Sequence, residues 1–342
     1  MPRKLRWGIL GAAKIAVQKV IPAMRACQWC EATAIASRDL NKAAGTAAAL
    51  GLPRAYGSYE ELLADPDLDI IYNPLPNHLH VPWSIRALEA GKHVLCEKPL
   101  GLSVEEVRAL IRARDRAGLC AGEAFMVRTH PQWLRVKELV ESGAIGRLRQ
   151  VQAWFSYDNR DPSNVRNVAA WGGGGLMDIG CYPVFLSRFL FGEEPRRVAA
   201  SLEPDPDFGV DRYCAALLEF SSGTSVFTCA TQLAPAQRFL VFGEKARVEV
   251  EIPFNAPPDR PCRIFLDDGS DLAGASRRVE ELPVCDQYAI QADEFTRAVL
   301  GLRTVPVPLE DSLRTMAVIE AIRASCLLYT SDAADDLLCV DL

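Results

Sequence analysis

Five short apolar segments recur through the first 124 residues, separated by stretches of helical periodicity, and this rhythm restricts the fold more than any other feature of the chain. Leu5 to Leu10, Ala32 to Ala36, Leu68 to Asn73, His93 to Cys96 and Leu119 to Ala124 read as buried strands. Helical patterns fill the gaps at about Lys14 to Arg25, Leu40 to Leu50, Tyr59 to Ala64, Val81 to Glu89 and Val104 to Arg116. Ser103 stands as an N-cap for the last of these, with Glu106 three residues on as the partner of a capping box. Strands regularly interrupted by helices form parallel sheets, because parallel neighbours need a crossover between them. The expected fold class is α/β, with an N-terminal Rossmann-type doubly wound parallel sheet.

After Phe125 the rhythm changes. Helices near Pro131 to Ser142 and Asp178 to Phe191 precede strands at about Arg197 to Leu202, Cys214 to Phe220, Ser225 to Thr231, Phe239 to Phe242 and Arg247 to Ile252. Turn signals such as Ser222-Gly223 and Pro257-Pro258 punctuate them. This predicts an α+β domain with a largely antiparallel open sheet, closed by helices at Gln287 to Leu300 and Leu309 to Leu327. The expected domains are residues 1–124 for dinucleotide binding and 125–326 for substrate binding and oligomerisation.

Composition narrows the partners. Lys and Arg number 38 against 44 Asp and Glu, a net charge of −6 that offers no footprint for nucleic acid. No apolar run approaches the ~18 residues a membrane span needs. Pro2 to Arg6 followed by Trp7 to Ala13 superficially imitates a signal peptide, but Lys14 interrupts it and the segment serves better as the first strand. A cytoplasmic protein is expected. Its eleven cysteines lack the regular spacing of a disulfide framework, and Cys27-Gln28-Trp29-Cys30 follows a helix where a thioredoxin-like site would precede one.

The chemistry begins at Trp7-Gly8-Ile9-Leu10-Gly11-Ala12-Ala13-Lys14-Ile15-Ala16, where the first strand turns into the first helix. Gly11, Ala13 and Ala16 occupy the positions of a G-x-G-x-x-G/A fingerprint, with Ala at the second. Gly11, Ala12, Ala13, Lys14 and Ile15 are therefore the candidate pyrophosphate contacts at a helix N-terminus. The second strand ends at Ser37-Arg38-Asp39, with Lys42 one turn on, where an NAD site would place a carboxylate for the ribose 2′-hydroxyl. A hydroxyl and a guanidinium suit a 2′-phosphate instead, so NADP is favoured over NAD, and Asp39 is free to cap the next helix. Further cofactor-side candidates lie in Pro76, Asn77 and His80, on the loop after Asn73, although His80 also suits a capping or packing role. His78 and His80 are too closely spaced to share a helix face, and no metal is expected there. Glu97-Lys98-Pro99 follows the next strand at the same edge, where Lys98 either points at a nicotinamide or lies on the surface.

Gly8 to Ala16 followed by Glu97-Lys98-Pro99 resembles the Gfo/Idh/MocA oxidoreductase family, and Gly172 to Tyr182 is similar to that family's second signature. The resemblance runs from about Leu5 to Ser325. Many members carry Asp-x-x-x-His in the second signature, whereas this chain has Asp178 and Tyr182, as in the branch of glucose-fructose oxidoreductase, dimeric dihydrodiol dehydrogenase and NADP-dependent xylose dehydrogenase. Spacing of four places both side chains on one helix face. The resemblance implies that Tyr182 exchanges the proton at the carbinol oxygen and that Lys98 favours its phenolate, with Asp178 positioning a sugar hydroxyl or holding Lys98. Arg128, Phe155, Arg166 and Trp171 are candidates for lining the pocket. Gly172 to Gly175 can bring backbone close to a ligand or can simply be a loose connection.

What the resemblance implies is an NADP-dependent dehydrogenase acting on a cyclic sugar or diol, above all an aldose oxidised to its lactone, in a homodimer or higher homo-oligomer. A catalytically silent nucleotide sensor on the same fold is the rival. Residues 327–342 depart from the family pattern and look like translated linker sequence, a non-native tail.

Overall fold

The structure is a computed structural model and describes residues 3–327 and 340–341. From the N-terminus, β1 (Leu5–Leu10) leads through a π-helical turn (Ala16–Val20) into α1 (Ile21–Met24), followed by β2 (Cys30–Ala36), α2 (Leu40–Leu50), β3 (Arg54–Tyr56) and α3 (Tyr59–Leu63). Next come β4 (Ile70–Asn73), α4 (His80–Glu89), β5 (His93–Glu97), α5 (Val104–Ala117) and β6 (Ala121–Ala124). All six strands are parallel in the order β3-β2-β1-β4-β5-β6. The order reverses between β1 and β4, and at such a switch point loops diverge and leave a crevice at the carboxyl edge. The five expected strands are all present. The sixth, β3, escaped notice because it is only three half-buried residues at the sheet edge.

Helix starts follow the sequence signals. Asp39 Oδ1 accepts the Asn41 and Lys42 N–H groups at the head of α2, and Ser103 Oγ accepts Glu106 N–H at 3.2 Å at the head of α5. Glu106 reaches back to the N–H of Leu102 at 2.8 Å, one residue beyond the Ser103 partner of a regular capping box.

The chain continues through α6 (Pro131–Glu141), β7 (Leu148–Asp158), a π-helical turn (Leu176–Gly180), α7 (Cys181–Phe191), β8 (Arg197–Pro204), β9 (Asp211–Glu219), β10 (Thr224–Ala230) and β11 (Gln232–Gly243). It ends with β12 (Arg247–Val250), β13 (Cys262–Asp267), β14 (Arg278–Leu282), α8 (Gln287–Val299), α9 (Leu309–Leu327) and β15 (Val340–Asp341). The second sheet runs β14-β13-β12-β11-β7-β10-β9-β8-β15 and is antiparallel except where β7 meets β10. Its central strand, β7, was not expected from sequence. Arg149, Gln150 and Gln152 break any apolar run there, yet Val151, Ala153 and Phe155 alternate inward as a half-buried strand requires. Of the proposed tail, residues 328–339 and 342 lie outside the described residues.

Two compact units result. One comprises the described residues up to Thr129 with Asp286–Leu313, and the other His130–Cys285 with the described residues from Arg314 onward. The chain thus rejoins its first unit through α8, a return that a boundary drawn along the sequence does not express. The physical cause is the apolar stripe of α8: Ala292 and Phe295 join Trp7, Ile9, Ile35, Ile70, Tyr72 and Leu95 in one buried cluster. Trp7 meets Phe295 edge-on at 5.9 Å, and its indole N–H donates to Thr296 Oγ1 at 3.2 Å. In the second unit Trp133 meets Phe239 edge-on at 4.7 Å and donates to the Pro253 carbonyl at 2.9 Å, satisfying its polar atom inside the core.

Candidate active site

Gly11 follows β1 with φ +82 and donates its N–H to the Ala36 carbonyl at 2.8 Å, locking the turn to the neighbouring strand. That conformation demands glycine, and a Cβ there would also lie 2.9 Å from Leu75 Cδ2 and displace that side chain. Ala12, Ala13 and Ile15 are partly exposed and Lys14 is exposed, which leaves the turn open to a ligand. At the end of β2, Ser37 is buried while Arg38 and Lys42 are exposed. Asp39, the residue after Arg38, is exposed and is engaged through Oδ1 as the α2 cap. Arg38 hydrogen-bonds the hydroxyl of Tyr59, whose phenol is pushed up by burial and partly brought back by that guanidinium. Tyr59 was missed from sequence, although the turn glycine and Arg38 both point to its place: its oxygen lies 3.5 Å from the position of a Gly11 Cβ.

The loops after β4 and β5 are tied together by His80. Its ring is fully buried, with Nδ1 2.7 Å from the Pro99 carbonyl and Nε2 2.6 Å from the Leu75 carbonyl. Burial lowers its pKa to about 4 against the raising effect of those two carbonyls, and the nearby Lys98 cation lowers it further. The imidazole is therefore neutral at pH 7, and its one N–H serves one carbonyl at a time. The sequence offers His80 both as a cofactor contact and as a packing residue; its buried ring meets the Leu75 and Pro99 carbonyls of the two loops, beside Pro76 and Asn77, which are partly exposed. Glu97 accepts the Tyr72 hydroxyl at 2.6 Å through Oε1 and the Lys98 N–H at 3.3 Å through Oε2. Lys98 is half-buried at the strand end, before a cis peptide to Pro99. The next N–H, of Leu100, donates to the buried Glu123 at 2.8 Å. Tyr72 and Glu123 support this turn from inside the sheet, where a sequence reading sees only core positions. Arg128 lies in a short 3-10 turn of the same unit, partly exposed.

In the second unit Asp178 is the centre of a polar cluster. Its Oδ2 accepts the Tyr157 hydroxyl at 2.6 Å and Arg166 Nε at 2.8 Å. Asp178 holds Arg166 firmly charged, while burial and then Asp178 push the Tyr157 phenol up. The sequence offered a sugar hydroxyl or Lys98 as the Asp178 partner; within its own unit the carboxylate already holds a guanidinium and a phenol. Tyr182 is 5% exposed, its ring 5.9 Å from Phe155 and 5.4 Å from Phe254, which themselves stack at 4.5 Å. Phe155 is thus a wall behind Tyr182. Trp171 is 39% exposed. Tyr157 and Phe254 were not singled out: Tyr157 follows Phe155 by two on β7 and shares its face, so recognising that strand was the signal needed.

The glycine run is neither loose nor open. A Cβ on Gly173 would collide with the Arg166 carbonyl, and one on Gly174 with Asp211 Oδ1. The close approach these glycines permit is to the protein's own chain. Cys27, Cys30 and Asp293 form the one group of potential metal ligands among the described residues, with ligand atoms within 4.8 Å of one another. The Asp293 oxygens accept the Gln28 and Trp29 N–H groups at 2.9 Å, so the carboxylate caps this turn.

An accessible glycine turn at the switch point of a doubly wound sheet is the architecture of nicotinamide-dinucleotide oxidoreductases. Residues 5–125 match the profile of an oxidoreductase family with an NAD-binding Rossmann fold, and residues 133–249 match the GFO/IDH/MocA C-terminal domain. The chain belongs to the Gfo/Idh/MocA oxidoreductase family and is an enzyme of that class. It is 48% identical to an uncharacterised oxidoreductase of Rhizobium meliloti over 94% of this chain and 96% of that one. It is 39% identical to the D-xylose 1-dehydrogenase (NADP(+)) 2 of Haloferax volcanii over 94% and 97%. A crystal structure of KijD10, a 3-ketoreductase from Actinomadura kijaniata in complex with NADP and TDP-benzene, superposes with a TM-score of 0.88 at 31% identity, covering 94% and 98%. No helix among the described residues is long and apolar enough to cross a membrane.

Proposed function

We propose that this enzyme is an NADP-dependent dehydrogenase of a cyclic sugar or diol, oxidising an aldose at its anomeric carbon to the lactone. The observation that carries the reading is the second-unit cluster: Asp178, ion-paired with Arg166 from a preceding 3-10 turn, stands one helical turn before a tyrosine walled by Phe155 and Phe254. Charged hydrogen-bonding groups beside aromatic faces suit the hydroxyls and apolar ring face of a sugar. Tyr182 takes the proton from the anomeric hydroxyl as C1 loses its hydride and the C1–O bond becomes the lactone carbonyl. NADP, when bound, would supply the hydride acceptor, and the residues that would hold it are the Gly11–Ile15 turn, Ser37, Arg38 and Lys42 at the adenosine end and Pro76, Asn77, Glu97 and Lys98 at the other. The exposed Arg38 and the engagement of Asp39 as a cap support the phosphorylated cofactor, as do the NADP of the KijD10 complex and the NADP(+) in the name of the Haloferax enzyme.

The test is a panel of aldoses, cyclic diols and keto sugars, each assayed for NADPH absorbance. Formation of NADPH with one or a few aldoses, accompanied by lactone, is expected. Inactivity across the panel with retained NADPH binding would replace this reading with the nucleotide sensor.

A further inference from the structure

The helix that carries Asp178 and Tyr182 begins without a cap of its own, since Gly175 precedes its π-helical first turn and supplies no side-chain acceptor. Four N–H groups at a helix start need acceptors from elsewhere. Asp211, the first residue of β9, provides one: its Oδ2 accepts the N–H of Leu176 at 2.6 Å, and the backbone of Gly175 also hydrogen-bonds the carboxylate. The glycine run is shaped around this group. Gly174 has φ +111, and a Cβ there would collide with Asp211 Oδ1; a Cβ on Gly175 would already touch Oδ2 at 3.4 Å. Gly174 and Gly175 thus leave a slot that the Asp211 carboxylate fills, at the end of the helix whose dipole favours negative charge.

We propose that Asp211 is a positioning residue for the reaction, a cap supplied from a strand that fixes where the Asp178–Tyr182 helix begins and thereby how both side chains are presented. The proposal rests on the reading of Tyr182 as the proton-exchanging group. Burial pushes the Asp211 carboxyl up to about 6, opposed by the Leu176 and Gly175 N–H groups and by Arg323. Among the described residues, Arg323 and Cys326 on α9 and Cys229 on β10 interact electrostatically with it. Both thiols are pushed up by their surroundings, Cys326 to about 11, and stay neutral. Among these groups Asp211 is the one that changes charge in mild acid, and protonation removes the charge that anchors the cap.

The experiment compares Asp211→Asn with the parent and with Tyr182→Phe, reading kcat against pH, the KM for sugar, NADPH binding and thermal melting. Asp211→Asn keeps the shape and one oxygen acceptor but not the charge. Its kcat is expected to fall by ~10-fold or more, since small misplacements of reacting groups cost up to ~10²-fold. NADPH affinity should stay within about twofold of the parent, and the acid limb of kcat near pH 6 should disappear. A parental kcat with an unchanged acid limb would overturn the proposal, whatever the melting temperature. If Asp211→Asn does not fold, Asp211→Glu, which keeps the charge on a longer arm, should retain the acid limb at lowered kcat, and parental kcat in that variant would be equally fatal. Parental turnover in Tyr182→Phe would remove the reading of Tyr182 and the proposal with it, whereas an inactive Tyr182→Phe beside an unaffected Asp211→Asn would remove the role of Asp211 alone.

Discussion

Tyr182 shows how one atom separates chemistry from packing. Its ring already has partners in Phe155 and Phe254, so Tyr182→Phe deletes only the hydroxyl and should fold and bind NADPH like the parent. Turnover should fall by ~10²-fold or more, the usual contribution of a positioned acid or base; a loss of less than about threefold, measured in steady state beside an NADPH titration, would leave Tyr182 a packing residue. Lys98→Met should also cut turnover, and the double variant should lose little more than the worse single one, because groups acting as a unit are not additive. Arg38 makes a different prediction. Exposed beside the Tyr59 hydroxyl, it would gain ion-paired hydrogen bonds to a 2′-phosphate and only a weaker bond to a neutral acceptor from a 2′-hydroxyl. Arg38→Ala should weaken NADP by ~1.5 to 3 kcal/mol and NAD by less, and titration calorimetry with both cofactors would expose a uniform loss if Arg38 were only a surface charge.

At the scale of elements, the turn after β5 is held from two sides, by His80 through the Pro99 carbonyl and by Glu123 through the Leu100 N–H. Glu123 is wholly buried, and desolvation pushes its carboxyl from 4.5 up to about 7, opposed by Ser312 and the Leu100 N–H. A carboxyl whose folded pKa is raised costs nothing while it is protonated in both states. The unfolded chain releases its proton first, so stability falls as pH climbs from about 4.5 to about 7. The span corresponds to roughly 3 kcal/mol. Glu123→Gln keeps an acceptor for Leu100 and should flatten stability against pH across that window, measured by denaturant melts; a curve as steep as the parent's would mean that Glu123 is not the source. The same tie explains part of what sequence left hidden, because Glu123 reads there as one more residue of a buried strand and nothing nearby in sequence names Leu100 as its partner.

For the whole molecule, the second sheet presents one face of mixed character. Across neighbouring strands, Leu240, Gln152, Val226 and Leu217 fall in one row and Arg238, Trp154, Thr228 and Ala215 in the next. Trp154 and Leu217 are 37% and 38% exposed. We expect a second copy to cover this face, giving a homodimer or higher homo-oligomer with an interface of ~1,600 Å² or more. Light scattering at micromolar concentration should report at least twice the monomer mass, and Trp154→Glu with Leu217→Glu should shift it toward the monomer. Monomer mass for the unaltered protein would contradict the expectation.

The sequence alone determined the doubly wound sheet, the glycine turn, the position of Lys98 at a strand end and the four-residue spacing of Asp178 and Tyr182. These depend on periodicity, backbone stereochemistry and turn chemistry, all written within a few neighbouring residues. The tertiary structure decided the rest. It placed β7 at the middle of the second sheet, brought Tyr157 to Asp178 across 21 positions and Asp211 to Leu176 across 35, and returned α8 to the first unit. Each of those is a pairing between segments whose local patterns are satisfied by many partners, and only close packing of the folded chain selects one.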